Sequence, residues 1–454
     1  MVKLVDTPDL GSGAARCEGS SPFTRTKSSN ESWSFLILKQ LLLFQIKANH
    51  LNSKYNIIII GGGAAGFFTA INIVEKNTNL KVAILERGKS VLEKVRISGG
   101  GRCNVTHACF IPNDLVKFYP RGERELKGPF NQFCSGDTIE WFEKHGVELK
   151  IEDDGRMFPV SNSSQTIIDC FQEAVKKLKI DVLTNHSVQE LYKTETHWKV
   201  TTTQEVFTCE KIVMASGSNP KMWELLQNLG HSIIEPVPSL FTFNIKDPRI
   251  KDLMGLSAVA SVKVKKSKLE ASGPLLITHW GMSGPVILRL SAWGARELAE
   301  KKYQFAIQVN WLNETNFDEA LVLLKDIKEE NAKKLVSKYA HFELPKRLWE
   351  NLVKAAGISE ELKWADVSKK QLNSLIEQLI NGEFHVNGKS TFKEEFVTAG
   401  GIDLKEVNFK TMESKILPNV YFAGEILNID AITGGFNFQN AWTGGFIVAE
   451  NIVK

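Results

Sequence analysis

The sequence predicts an α/β fold: a largely parallel, doubly wound sheet interrupted by a β and helical insertion. Three observations carry this. Short, wholly apolar runs lead straight into glycine-rich turns near both ends of the chain, as strands buried on both faces of a parallel sheet do. Between about residues 241 and 312, apolar and polar residues alternate, the mark of half-buried antiparallel strands. From residue 313 to 381 the period becomes helical.

The bulk properties agree. Of 454 residues, 43% are apolar and 24% charged, the composition of an ordinary globular protein and not of a disordered or collagen-like chain. The net charge, 56 − 52 = +4, is too small to imply nucleic-acid binding by bulk electrostatics. Six Cys exclude a disulfide-built scaffold and suit a reducing, cytoplasmic setting. No run of roughly 18 apolar residues argues for a spanning helix.

Residues 1–53 read differently from the rest. The apolar stretch 35–46 (FLILKQLLLFQI) is short and broken by Lys39 and Gln40. Arg25 and Lys27 suggest a signal peptide, but no small-residue cleavage site follows. Residues 1–26 show no periodicity and resemble the translation of a transfer-RNA gene, which would place the real start near Asn52. The expectation is a disordered or spurious leader without chemistry, its Gly11-Ser12-Gly13 lacking the preceding strand a phosphate loop needs.

The first strand is predicted at 56–60 (NIIII), running into Gly61-Gly62-Gly63-Ala64-Ala65-Gly66. Gly61, Gly63 and Gly66 fit G-x-G-x-x-G. Their roles are a tight turn, close approach of a pyrophosphate, and packing of the following helix on the strand. That helix, from Ala64, points its free N–H groups at the phosphates. A second strand, 81–85 (KVAIL), ends at Glu86, 20 residues past Gly66, where a carboxylate accepts ribose hydroxyls. Such a carboxylate repels a 2′-phosphate, which argues against NADP in this site. Strand, glycines, helix, strand and acid in register make a Rossmann-like dinucleotide site.

Residues 212–215 (IVMA) form another buried strand, closing on Ser216-Gly217-Ser218. Near the C-terminus, 419–423 (NVYFA) ends at Gly424-Glu425, and Gly434-Gly435 precedes an apolar helix from about Asn440 to Val453. This second half-site suits the ribityl chain and ring of a flavin. The bland alternative is a closing strand–helix pair of the sheet.

Arg96-Ile97-Ser98-Gly99-Gly100-Gly101-Arg102-Cys103-Asn104-Val105-Thr106 resembles the signature of the HI0933-like (YhiN-type) family of flavoproteins. So do residues 424–430 (GEILNID), 433–437 (TGGFN), 440–442 (NAW), 278–285 (THWGMSGP) and 398–401 (TAGG). The resemblance covers about residues 55–454. It implies an FAD-binding two-dinucleotide-binding domain with an inserted β-barrel domain and a small helical insert. Asn428 stands where the family more often has Asp, and Ala431-Ile432 where a Gly is commoner. That leaves open which of Glu425 and Asp430 contacts the ribityl hydroxyls. Fingerprint and resemblance together assign cofactor binding to Gly61, Gly63, Ala64, Ala65, Gly66, Glu86, Arg87, Gly100, Gly101, Arg102, Cys103, Gly217, Gly424, Glu425, Asp430, Gly435, Phe436 and Asn437. Within Ser98–Arg102, the glycines allow close approach to a flat ring or phosphate, and Arg102 offers a planar fork to pyrophosphate.

The expected division is a leader at 1–53, a discontinuous FAD domain at 54–240 and 391–454, a β-barrel-like domain at 241–312 and 382–390, and a helical insert at 313–381. Asn316 with Glu319, and Ser368 with Gln371, are capping boxes, and Pro345 sits where a helix can begin. The Lys residues of the insert are interleaved with acids and read as a solvated face.

FAD would carry hydride chemistry, and a protein group would supply a proton. His279 is a candidate acid, against a packing role. Cys103 is a candidate redox or ring-contacting thiol, against a buried structural one; its spacing to Cys109 matches no redox motif. No metal-ligand cluster is apparent. No second complete G-x-G-x-x-G exists, so reduced nicotinamide, NAD(P)H, is expected only as a transient donor. The sequence thus points to an FAD-dependent oxidoreductase, most simply a reductase of a small unsaturated organic substrate, as relatives associated with dehydro bile acids imply. The alternatives are a flavin monooxygenase or oxidase, or a tRNA-associated or redox-sensing flavoprotein. Without the leader's six basic and four acidic residues the core carries only +2, which disfavours RNA; nothing indicates a membrane partner or an oligomeric state.

Overall fold

The structure, a computed structural model, describes residues 53–390 and 397–454. The expected leader lies outside the described residues but for Ser53, which opens the first strand.

β1 (Ser53–Ile60) enters the core, with Ile58 and Ile59 wholly buried. It turns at Gly61 into α1 (Ala64–Lys76) and returns as β2 (Val82–Leu85). β3 (Asp181–Leu183) pairs outside β2, and β4 (Val206–Met214) pairs parallel to β1 on its other side. The registers Ile57↔Val82 and Ile60↔Met214 bring the C-terminal ends of β1, β2 and β4 to one edge, where an open parallel sheet binds ligands.

The chain then builds a second, antiparallel sheet. Its strands are β5 (Thr242–Asn244), β6 (Ser257–Val264), β7 (Glu270–Ile277) and β8 (Gly281–Ser283). α2 (Pro285–Trp293) follows, then β9 (Gln304–Asn310). After three helices, Phe317–Glu330, Lys346–Ala355 and Lys369–Ile380, come β10 (Gly382–Asn387) and β11 (Lys389–Ser390). The pairing order is β10-β9-β6-β7-β8-β5-β11. The expected barrel is therefore an open sheet, since no ladder joins its edge strands β10 and β11 among the described residues. Both capping boxes form: Asn316 Oδ1 accepts from Glu319 N at 3.0 Å, and Ser368 Oγ from Gln371 N at 3.3 Å. The helices share one apolar cluster with the second sheet, centred on Trp349, Trp364 and Leu375.

A two-stranded ribbon, Ile233–Ser239 against Val397–Ile402, leads back to the first sheet. β12 (Val420–Phe422) pairs parallel to β4, giving the order β3-β2-β1-β4-β12 for the parallel core. α3 (Phe436–Ile452) starts four residues earlier than the sequence suggests, because Gly435 caps it in a left-handed conformation. α3 lies against α1 so closely that a Cβ on Gly445 would meet Thr69 Oγ1 at 2.7 Å. Among the described residues no helix is long and apolar enough to cross a membrane.

Candidate cofactor and substrate cleft

The C-terminal edge of the parallel sheet opens into a cleft of about 1280 Å³, walled on its far side by the second sheet and α2. An ordinary ligand pocket holds roughly 300–1,000 Å³, so there is room here for more than one ligand.

The glycine turn divides its work as the spacing predicts. A Cβ on Gly61 (φ +122°) would sit 2.3 Å from Ala215 O, and one on Gly66 would sit 2.0 Å from Gly61 O. A Cβ on Gly63 would meet nothing within 4 Å, because this residue faces the open cleft. Among the described residues no side chain caps the N-terminus of α1 or of α3, so both present free N–H groups and positive dipole ends to an anion. Glu86 is fixed by two backbone donors: Oε2 accepts from Gly62 N at 2.9 Å and Oε1 from Gly88 N at 2.7 Å.

Of the residues expected to bind cofactor, Gly61, Gly63, Ala64, Ala65, Glu86, Arg87, Gly217, Gly424, Glu425, Gly435, Phe436 and Asn437 line this cleft. Asn437 also braces the loop before α3: its Oδ1 accepts from Ala431 N at 3.0 Å and its Nδ2 donates to Ala431 O at 3.2 Å. Gly66 stands behind the turn.

Others sit elsewhere. Gly100, Gly101, Arg102 and Cys103 do not line the cleft. Ser98 breaks the helical conformation, and the left-handed Gly99, Gly100, Gly101 and Cys103 turn the chain away. The Arg102 fork goes to Glu152 Oε1, at 2.9 and 2.8 Å, and stacks 3.7 Å over the Phe158 ring. Cys103 is fully buried, and burial pushes its thiol up to about 12, far from a reactive thiolate. Asp430 is also fully buried, held by Arg121 Nε at 2.5 Å, by Arg121 Nη2 and by Ser239 Oγ at 2.7 Å. Burial raises its carboxyl, and Arg121 and Ser239 pull it back. Glu425 reaches the cleft with Oε2 on Lys94 Nζ at 2.6 Å and Oε1 on Thr398 N at 3.2 Å. His279 lies exposed in the turn between β7 and β8, off the cleft.

The structure adds residues the sequence reading did not single out. His107, one position beyond the glycine-rich motif, lines the cleft with Phe118 and Phe436. Its ring lies 4.6 Å from that of Phe436, which stacks on Phe118 at 4.3 Å. His107 Nδ1 is 3.1 Å from Gly434 O, so the tautomer with hydrogen on Nδ1 is assigned, and burial holds the imidazole below its usual value. Two buried acceptors of the lining, Asn440 Oδ1 and Ser216 Oγ, have no hydrogen-bond partner among the described residues. Orphaned buried acceptors beside an open glycine turn and two uncapped helix ends suit a polar ligand with phosphates and hydroxyls.

Fold and cleft together define a Rossmann-type dinucleotide-binding protein with a second sheet closing over the site. The chain belongs to the HI0933-like family, whose Rossmann-domain model matches residues 55–451. It is similar to the ribosomal RNA dihydrouridine synthase of Escherichia coli, 28% identical over 88% of this chain and 98% of that one. It is also similar to the enzyme of the same name from Haemophilus influenzae, at 26% over 87% and 98%. The 3-dehydro-bile acid delta(4,6)-reductase of Clostridium scindens matches at 24% over 86% and 97%.

Proposed function

We propose that the chain holds FAD in the glycine-turn half of the cleft and acts as a reductase that saturates a conjugated carbon–carbon double bond. One observation carries this: a single cleft has a dinucleotide cradle on one wall, a second wall of different chemistry opposite, and volume beyond one ligand. The relatives' names support the reaction class, since forming dihydrouridine and reducing a dehydro bile acid both saturate a double bond conjugated to a carbonyl.

FAD, bound and reduced, supplies the hydride. The chain's residues do the rest. The N–H groups of the Gly61–Gly66 turn and of the α1 N-terminus would hold the pyrophosphate, and Glu86 would accept from the adenosine ribose. Asn440 and Ser216, whose orphaned oxygens line the cleft, would accept hydrogen bonds from the cofactor's donors. Neutral His107, its Nδ1 donating to Gly434 O, keeps Nε2 as an acceptor for a substrate N–H or a proton-carrying water. The second sheet and α2 exclude water from the substrate side. NADH or NADPH serves as a transient donor.

The substrate is a small planar conjugated group, either a free molecule or the uracil of an RNA chain. The second reading is favoured by the two synthases, each aligned over 98% of its length, and it restores the RNA partner that the low net charge argues against. The test is purification followed by anaerobic mixing with NADH and NADPH, then with a conjugated enone or a uridine-containing ribosomal RNA fragment. A yellow protein that bleaches and is re-oxidised by one of these is expected. A chain unable to take up FAD, or one bleached by neither donor, overturns the proposal.

A further inference from the structure

The far wall of the cleft has a chemistry of its own. Leu240, Pro274, Pro285 and Leu288 make it apolar. Two of its hydroxyls pair with each other, Thr242 Oγ1 donating to Ser283 Oγ at 3.0 Å, and Ser390 Oγ donates to Asn244 Oδ1 at 2.8 Å. Pro285, Leu288 and Arg289 fall at i, i+3 and i+4 of α2, so one helix face looks into the cleft. Arg289 is the single charged side chain that residues 240–390 contribute to the lining among the described residues. It has no hydrogen bond or ion pair among the described residues. Among the described residues no carboxylate stands on this wall to neutralise it. Across the cleft, Lys94 and Arg156 are already engaged, by Glu425 at 2.6 Å and by Asp154 at 2.7 Å.

A guanidinium offers a planar fork of donors that matches a carboxylate or phosphate bidentately, and the contact is charge-assisted. Arg289 is solvent-exposed, and it shares its helix face with two apolar residues that line the cleft.

We propose that this wall is the substrate subsite and that Arg289 binds an anionic group carried by the substrate beside its reducible double bond. The assignment rests on the reductase reading above and deepens it: the substrate is a conjugated unsaturated compound bearing an anion. A small organic acid supplies that anion as a carboxylate, and a nucleotide as a phosphate.

The test uses the FAD-loaded full chain and the absorbance change of its oxidised flavin as probes are titrated. Two matched pairs separate charge from shape: cinnamate against cinnamamide, and uridine 5′-monophosphate against uridine. At least one anionic probe should bind roughly tenfold tighter than its neutral twin, the difference of one charge-assisted contact. In Arg289→Gln that advantage should shrink to about twofold or less, Arg289→Lys should keep part of it, and neutral twins should bind as before. The pair that discriminates identifies the source of the anion. Equal binding within both pairs, or discrimination that survives Arg289→Gln, overturns the assignment. A chain that takes up no flavin fails before any probe is added; that outcome overturns the reductase reading and this assignment with it.

Discussion

Replacing Gly63 with Ala separates cofactor binding from folding. Gly63 is the N-cap of α1 at φ −95°, ψ −169°, an extended conformation open to any residue. The added methyl meets nothing within 4 Å, so the apo fold suffers no clash. Losing glycine's freedom in the unfolded chain contributes about 0.4–1 kcal/mol of stability. Ala at an N-cap costs a similar amount relative to Gly. The two offset, and apo stability by urea unfolding should stay within about 1 kcal/mol of the parent. The methyl does, however, project into the space a pyrophosphate needs in order to reach the N–H groups of the turn. Each charge-assisted bond lost costs about 1.5–3 kcal/mol, so FAD affinity should fall about ten- to a hundredfold. Flavin fluorescence quenching on titration into apo-protein reads this directly. Gly66→Ala is the contrasting control. Its methyl would sit 2.0 Å from Gly61 O, and it should cost about 1–3 kcal/mol or more in the apo fold itself. A Gly63→Ala protein that binds FAD within about threefold of the parent would refute the placement of the pyrophosphate against this turn.

Three further outcomes follow from the same geometry. Arg121→Ala leaves the buried Asp430 without its cation, with Ser239 still donating, and should cost about 3–5 kcal/mol in chemical denaturation, part of it recovered by adding Asp430→Asn; a loss under about 1 kcal/mol would make the pair ornamental. Cys103, buried with its thiol near 12, should resist iodoacetamide at pH 8 in the native protein and react once unfolded, as peptide mass mapping would report; native alkylation would reopen its redox role. Burial lowers both His107 and His341, so their contribution to stability is complete above the roughly 6.5 of a free imidazole and is lost as pH falls through the folded values. The double variant His107→Gln/His341→Gln should therefore lose less Tm than the parent between about pH 7 and 5, and parallel curves would disprove this.

The dinucleotide half of the cleft was legible because its information is local. Strand, glycines, helix and acid lie within about thirty residues, and what they specify is backbone: a turn, free N–H groups, and a carboxylate at the end of the next strand. The same logic reached Gly217, Gly424 and Gly435, each at the end of a short buried strand or the start of a helix. The open edge of the second sheet was not legible. Alternation marks a strand's two faces but says nothing of whether the outer strands β10 and β11 pair.

Side-chain roles failed wherever the deciding partner is distant in sequence. Arg102 has the chemistry to hold a phosphate, yet Glu152, fifty positions on, and Phe158 occupy its fork and its face. Asp430 sits in a glycine-rich half-site, yet Arg121, 309 positions away, draws it into the core. His279 and His107 both lie at glycine-rich motifs. The turn between β7 and β8 carries one off the cleft, while pairing of Thr106–His107 with Arg156–Pro159 holds the other in its lining. Arg289 could not be told from the other basic residues by composition. Its distinction is the helix face it shares with Pro285 and Leu288, and the absence of a carboxylate on the described wall beside it. Backbone geometry follows from a dozen adjacent residues, whereas the charge state and availability of a side chain depend on what the folded chain brings to it. The substrate specificity of a flavin enzyme built this way should therefore vary through single side chains such as Arg289, while its dinucleotide cradle stays fixed.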